Sequence, residues 1–207
     1  GSKWNNSENL FVGYYGDGTL DVADGGVVSD TWGYIGFYSD STGTATVTGA
    51  DSQWTSADDL YVGYEGEGAL NIEAGGEVSN MYGSIGDESG STGIATVSGA
   101  GSKWTNWYQL VVGDEGNGTL NVEAGGEVSN TTGAIGSYNR VTGIATVTGS
   151  NSKWINSGWL YVGESGSGTL NVEAGGEVFS GNSYIGYDSY GTGIATVSGA
   201  GSMWNNS

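Results

Sequence analysis

The sequence of 207 residues contains no cysteine, no histidine and no proline. The lack of cysteine excludes a disulfide framework and a thiolate metal site. The lack of histidine removes the commonest zinc ligand and general base. Only four residues are basic against 23 acidic ones, for a formal net charge of -19. Because such a chain repels a phosphate backbone and has almost nothing to neutralise it, we expect no nucleic-acid partner.

Long hydrophobic runs are also missing. No stretch approaches the ~18 apolar residues that would span a bilayer, and no basic segment followed by an apolar one opens the chain. We therefore expect no membrane insertion in this segment. The chain starts and stops on nearly the same phrase, at residues 1–7 and 201–207. This match leads us to expect that the chain belongs to a longer repeat array.

Glycine is abundant, at 42 residues, and it follows an internal repeat. The phrase Gly-Thr-Leu-Asn-Val-Glu-Ala-Gly-Gly-Glu-Val-Ser-Asn at residues 118–130 recurs with little change at 68–80 and 168–180, and a more diverged copy lies at 18–30. Copies at one constant spacing indicate a structural unit stacked on its own copies. We interpret residues 1–207 as a single domain of four 50-residue repeats plus a partial fifth.

Each repeat contains a second, fainter symmetry, in which the segment at 60–80 is echoed by the segment at 84–106. Each half holds three short apolar stretches separated by glycine or polar residues. Their strict alternation is typical of strands with one buried face, and no 3.6-residue period indicates a helix. The sequence predicts an all-β fold, a parallel β-helix (β-solenoid) of about eight three-stranded coils of ~25 residues. At the usual strand spacing it would be a rod roughly 38 Å long.

The same alternation assigns side chains to the interior and the surface. It places Leu120 and Val122, with their equivalents in every coil, inside, and Asn121 outside. Ile94, Ile144 and Ile194 fall on the outward parity. Two interpretations of these isoleucines remain open: they cover a lateral contact, or the faces of that strand are reversed.

Stacking the half-repeats also creates ladders of like residues. Tryptophans alternate with valines in a column expected to pack in the core or at a corner. Glutamates alternate with lysines in another column, which penalises a slip of register. A third column is mostly asparagine, whose amides are expected to hydrogen-bond along the axis. It contains Asn6, Asp30, Ser56, Asn80, Asn106, Asn130, Asn156, Ser180 and Asn206.

Two phrases resemble the roughly 50-residue repeat of bacterial type V autotransporter passengers and related exported surface proteins. They are Thr-Gly-Ile-Ala-Thr-Val-Ser-Gly-Ala-Gly-Ser-Lys-Trp at 92–104 and Gly-Thr-Leu-Asn-Val-x-x-Gly-Gly at 118–126. The resemblance covers the whole chain. It implies a right-handed β-helix displayed on or released from a bacterial surface, in families whose passengers are adhesins, stalks or filaments more often than enzymes.

Catalytic chemistry would need a cluster of acidic and basic groups where the repeat is broken. The only arginine, Arg140, lies in a variable turn with no acidic cluster. The acidic turns at 58–59 and 87–88 have no cationic partner, and we expect them to be solvated corners.

We expect a structural or adhesive extracellular element and not an enzyme, with no cofactor and no metal site. Its partners would be further copies, through the open ends of the solenoid or neighbouring repeats, and surface glycans. The alternative is a carbohydrate-binding or polysaccharide-degrading module. A further alternative, ice binding, is disfavoured because Asp21, Asn71, Asn121 and Asn171 interrupt the threonine column. Aromatics outside the repeat pattern are candidates for glycan or protein contact: Tyr14, Tyr15, Tyr64, Trp107, Tyr108, Trp159, Tyr187 and Tyr190.

Overall fold

The computed structural model describes all residues from 1 to 207 and contains 23 strands and no helix. None of its elements is therefore a helix able to span a membrane. The strands are β1 Lys3–Asn5, β2 Leu10–Val12, β3 Asp17–Val22, β4 Val27–Asp30, β5 Gly33–Ile35, β6 Thr42–Thr48, β7 Gln53–Ser56, β8 Leu60–Val62, β9 Glu67–Glu73, β10 Glu77–Ile85, β11 Thr92–Ser98, β12 Lys103–Val112, β13 Asn117–Glu123, β14 Glu127–Asn130, β15 Thr132–Ile135, β16 Thr142–Thr148, β17 Lys153–Asn156, β18 Trp159–Val162, β19 Ser167–Glu173, β20 Glu177–Ser180, β21 Asn182–Ile185, β22 Thr192–Ser198 and β23 Met203–Asn206.

The strands form three parallel strips that run the length of a solenoid. Strip one begins with β1, β4 and β7, strip two with β2, β5 and β8, and strip three is the 8-stranded sheet from β3 to β22. Strands β10 and β12 continue through the corner and join strips one and two. Every neighbouring pair is parallel, and each strand of strip three pairs with its equivalent one coil on, as in Leu20↔Ala45 and Ala45↔Leu70. The predicted all-β solenoid, with its coil number and coil length, is confirmed.

The interior is a stack of small apolar layers. In strip three, Leu120 pairs in register with Ala95 and Ala145, and all three are fully buried. Alternation of a large and a small residue between successive coils lets the layers interlock at a fixed strand spacing. Asn121, between Leu120 and Val122, points outward as predicted. Ile94 and Ile144 also point outward, so the faces of this strand are not reversed.

A polar network crosses the interior of strip one. Trp104 pairs with Val78 and Val128 and is fully buried, which confirms the predicted packing of the tryptophan column. Its Nε1 donates to Asn80 Oδ1 at 2.7 Å, and Asn80 Nδ2 donates to Asn106 Oδ1 at 2.8 Å. Trp154, Asn130 and Asn156 repeat this pattern.

The asparagine column lies inside the rod and is interrupted. Asn106 Nδ2 has no hydrogen-bond partner, so the amides bond in pairs with an indole and do not form the continuous axial ladder expected from sequence. The departure has a structural reason. A tryptophan occupies this strip only in every second coil, and its indole N–H donates a hydrogen bond to the asparagine amide oxygen of the preceding coil. Asp30 stands in the same column, accepts from Trp54 Nε1 and is buried, and burial raises the pKa of its carboxyl group.

The glutamate and lysine column has the predicted register on the outer face of strip one. Glu127 lies opposite Lys103 on one side and Lys153 on the other. One ion pair is closed, between Lys153 Nζ and Glu177 Oε2 at 3.5 Å. The remaining acidic and basic residues of the column alternate without forming ion pairs. This fits a role in fixing the register of the strands more than in adding stability.

The two ends of the rod leave core residues uncovered by the rest of the chain. Trp4 is 51% exposed and Val197 is 48% exposed, whereas their equivalents Trp104 and Val147 are fully buried in the middle. The terminal strands also present backbone edges that no strand of this chain pairs with. Such edges are templates for another strand.

Candidate functional site

The candidate site is a groove where strip two interrupts a stack of aromatic side chains. The outward positions of this strip run Phe11, Tyr34, Tyr61, Ser84, Val111, Ala134, Tyr161 and Tyr184, each in register with the next. Tyr34 and Tyr61 stack at 5.0 Å between ring centroids, and Tyr161 and Tyr184 stack at 5.1 Å. Tyr61 and Tyr161 lie four coil steps, about 19 Å, apart. Two of the smaller residues between them, Ser84 and Val111, line a depression in this strip.

We call this depression the axial groove. It consists of two adjoining cavities of about 190 and 460 Å³, which share Gln109, Val111 and Asp114. The other lining residues are Tyr61, Tyr82, Gly83, Ser84, Asp87, Ser137, Tyr138, Glu164 and Ser165.

A glycine kink brings a second column of side chains to the groove. Gly86 has a positive φ of 73°, and a Cβ at this position would collide with the backbone of Asn117. Only glycine accepts both the left-handed backbone and this close approach. The kink turns the chain so that Ser84 and Asp87, on either side of buried Ile85 and Gly86, both line the groove. The equivalent kink at Gly113 does the same for Asp114.

The groove carboxyl groups are held in an unfavourable environment. Burial raises the pKa of Asp87 to about 6, with further contributions from Glu88 and Glu115, and the nearby Ser84 hydroxyl offsets part of the rise. Burial, followed by repulsion from Asp87 and Glu115, raises the pKa of Asp114 to about 7. A half-buried carboxylate beside others, with no cation to compensate it, favours its neutral form. The sequence-based expectation of a solvated acidic corner at Asp87 is therefore wrong.

Other polar groups around the two aspartates are partly satisfied. Tyr61 donates its hydroxyl to Asp59 Oδ2 at 3.0 Å, and Ser137 Oγ donates to Glu164 Oε2 at 3.2 Å. Ser84 is 6% exposed and its Oγ makes no hydrogen bond of ordinary geometry, although it lines the groove. A buried hydroxyl without a partner is costly. Ser84 differs from the other buried polar side chains that lack a partner, such as Asn106 inside the rod, because it lines the groove.

Exposed rings flank the groove on both sides. Tyr82 is 47% exposed and stacks on Tyr108, with 5.3 Å between ring centroids. Tyr138 is 55% exposed on the opposite rim. Both rings leave surface free for a ligand, whereas Tyr161 is covered by its neighbours.

The eight aromatics singled out from sequence do not gather at one place. Tyr14, Tyr15 and Tyr64 belong to a cluster over the first coils, with Phe11, Tyr34, Phe37 and Tyr38. Trp159 and Tyr187 belong to a second cluster, around Tyr161 near the other end. Trp107 and Tyr108 lie at the corner of β12, and Tyr190 is exposed in a late turn. Of the eight, Tyr108 is linked to the groove through Tyr82.

Sequence reasoning missed the residues that build the groove, chiefly Ser84, Asp87 and Asp114. A signal was present, because the residue before each Val-Gly or Ile-Gly pair is aromatic in the outer coils and small in the middle ones. Burial of Asp87 and Asp114 could not be inferred, since it depends on rings and turns contributed by neighbouring coils.

Comparisons with known proteins give no family and no relative. No family model matches the chain, and neither a curated protein nor a solved structure is similar to it. The groove must therefore be interpreted from its own chemistry.

The arrangement is suited to binding a ligand along the axis. The carboxylates follow one another from coil to coil, and no three acidic side chains are grouped closely enough to hold a metal ion. A glycosidase needs one carboxyl group protonated and a second one ionised, which requires environments that separate their pKa values. Here the pKa values of Asp87 and Asp114 are both raised. The groove can accept hydrogen bonds from a ligand and stack against it.

Proposed function

We propose that this chain is a structural element of a bacterial surface or secreted protein, a rigid rod that extends by axial stacking of coils. The observation that carries the proposal is the core that runs unbroken through the three strips, each of which stays in parallel register from coil to coil. The proposed partner is the end of a second copy of the same solenoid.

The regular register supports a structural role. Each of the three strips keeps its pairing through eight coils, and the alternation of glutamate and lysine opposes slippage. The net charge of -19 favours solubility of an extended rod and disfavours non-specific side-to-side association. The resemblance to autotransporter passengers supports an extracellular location and a stalk, filament or adhesin role.

The test is assembly of the purified chain as a function of concentration, measured by analytical ultracentrifugation and negative-stain microscopy. We expect rods whose length grows with concentration while their width stays constant. Val197→Arg places a charge on the uncovered end and should abolish growth. Ile144→Arg, on the outer face of strip three, is the matched control and should leave growth unchanged. Monodisperse short rods at all concentrations, or loss of assembly only in Ile144→Arg, would contradict axial stacking.

A second function is favoured by the axial groove, which we propose as a contact for carbohydrate. Exposed Tyr82 and Tyr138 offer ring faces on opposite rims, and Gln109 and Asp114 between them offer hydrogen-bonding groups. Aromatic faces combined with such groups are typical of surfaces that hold amphipathic rings. This contact would make the rod adhesive without assigning any reaction to it.

Binding to a glycan array checks the second function. The double variant Tyr82→Ala/Tyr138→Ala should lose binding, and the double variant Trp107→Ala/Trp159→Ala should retain it, because those exposed tryptophans lie outside the groove lining. The reverse pattern would move the site away from the groove, and the absence of any bound glycan would remove this function.

A further inference from the structure

The axial groove is lined by acidic side chains that no basic group of the protein balances. Asp87, Asp114 and Glu164 line it, and Glu88 and Glu115 follow Asp87 and Asp114 along the chain at its margin. The one ion pair of the molecule, Lys153 with Glu177, lies on strip one. The groove therefore differs from the glutamate and lysine column, where every inner acidic residue has a basic neighbour in register.

The uncompensated charge is accompanied by an unsatisfied hydroxyl. Ser84 lines the groove near Asp87 and is more than nine-tenths buried, and its Oγ makes no hydrogen bond of ordinary geometry. Native proteins rarely leave such a group unpaired, and of the five buried polar side chains with an unpartnered atom Ser84 is the one that lines the groove. Ser84 and the two aspartates thus indicate a ligand that supplies both positive charge and hydrogen-bonding groups.

The shape of the groove favours an extended ligand. The carboxyl groups of Asp87 and Asp114 belong to successive coils, and Glu164 lies two coils further on, so the negative charges are spread along the axis. A single ion fits a convergent group of carboxylates, which the chain lacks. Exposed Tyr82 and Tyr138 flank this row and can stack on flat or ring-shaped groups, with added attraction for a cation.

We propose that the axial groove binds a cationic glycan, a chain of amino sugars with free ammonium groups, in preference to a neutral one. The sugar rings pack against Tyr82 and Tyr138, the ammonium groups face Asp87 and Asp114, and hydroxyl groups reach Gln109 and Ser84. This inference rests on the carbohydrate contact proposed above and names the chemical class of its ligand.

The test is isothermal titration calorimetry at pH 7, where an ammonium group of the ligand and a carboxyl group of the groove each favour the charged form of the other. The probes are a glucosamine oligomer, the fully N-acetylated oligomer of the same length, and a lysine oligomer of equal charge. We expect the glucosamine oligomer to bind at least about tenfold more tightly than the acetylated one, since each charged hydrogen bond contributes about that factor. Raising the salt concentration should weaken the binding.

Two matched variants locate the site. Asp87→Asn/Asp114→Asn should weaken binding of the glucosamine oligomer at least about tenfold. Asp17→Asn/Asp21→Asn removes the same charge from exposed positions of β3 and should leave binding unchanged. A β-type circular dichroism spectrum equal to that of the parent chain shows that each variant is folded.

The remaining outcomes separate this inference from the function on which it rests. Equal binding of the acetylated oligomer would overturn the preference for a cationic glycan but leave the carbohydrate contact standing. Equal binding of the lysine oligomer would overturn the assignment to a sugar. Binding of neither oligosaccharide would overturn both proposals, and equal losses in the two double variants would overturn the location in the groove.

Discussion

The interior of strip one and the axial groove of strip two both bury polar groups, yet they treat them differently. In the interior, Trp104 and Asn80 bond to each other, and Asn80 bonds onward to Asn106. In the groove, Asp87 and Asp114 repel one another and Ser84 has no partner. The comparison indicates that the hydrogen-bonded indole and amide groups stabilise the fold, whereas the groove groups are retained at a cost to stability.

The two regions also differ in periodicity. The indole and amide pattern recurs in successive repeats, where Trp104 and Trp154 make the same hydrogen bond. The groove occurs once, where Ser84, Val111 and Ala134 replace aromatic residues. In a repeat protein, recurrence points to architecture and a single interruption points to a site.

The largest expected effect on stability is in the interior of strip one, at a tryptophan whose indole is hydrogen-bonded. Trp104→Ala removes a fully buried ring and leaves Asn80 Oδ1 without its indole donor. We expect the free energy of unfolding to fall by about 3–5 kcal/mol. The control Trp107→Ala removes a 66% exposed ring and should change it by less than about 0.5 kcal/mol. Chemical denaturation followed by circular dichroism measures both, and similar losses would contradict the assigned burial.

Two serines give the sharpest contrast between the regions. Ser102 Oγ donates to the carbonyl oxygen of Ser98 at 2.7 Å and accepts from the amide of Gly75 at 3.0 Å. Ser102→Ala should therefore destabilise the chain by about 1–2 kcal/mol. Ser84→Ala removes a buried hydroxyl that makes no hydrogen bond of ordinary geometry, so it should cost clearly less than Ser102→Ala. If Ser84→Ala proved as costly as Ser102→Ala in the same denaturation assay, the hydroxyl of Ser84 would have a partner after all.

The smallest effect on stability is expected at the ion pair of the glutamate and lysine column. Lys153→Ala removes the ion pair with Glu177, which is partly exposed at 3.5 Å. Such pairs contribute between about 0 and 1 kcal/mol, and salt screens them. Thermal unfolding at low and high salt should show a small loss that shrinks as salt rises. A loss above about 2 kcal/mol would mean that this column stabilises the rod and does more than fix its register.

Much of the fold could be predicted because the copies of the repeat within the chain can be aligned with one another. The repeat period and the alternation of residues such as Leu120, Asn121 and Val122 determine coil length, strand number and buried face. The same alternation placed Ile94 on the surface correctly. The continuous asparagine ladder was wrong, because hydrogen bonds depend on which side chains the neighbouring coil presents, and the indole of Trp104 competes for Asn80.

The site was less accessible to sequence reasoning. Prominent aromatics such as Tyr15 and Trp107 drew notice because they break the repeat, but they lie in separate places. The groove depends on what is missing between Tyr61 and Tyr161. Its raised pKa values arise from contacts between successive coils, which a linear sequence shows only after the half-repeats are stacked.

The central claim is that the ionised carboxyl groups of the groove destabilise the folded state. The pH dependence of the free energy of unfolding tests this claim most directly. The pKa values of Asp87 and Asp114 are raised above the unfolded value near 3.9, so the folded state binds more protons than the unfolded state between about pH 4 and pH 7. Stability should therefore fall as pH rises through this interval. Because both groups are partly exposed, we expect the loss from the pair to be ~1–2 kcal/mol, below the full value of the shifts.

The measurement is the free energy of unfolding of the parent chain, Asp87→Asn/Asp114→Asn and Asp17→Asn/Asp21→Asn at pH 5 and pH 8. We predict that the groove variant loses less stability than the parent between the two pH values, whereas the β3 variant follows the parent. An unchanged pH dependence in the groove variant, or the same change in both variants, would contradict the central claim.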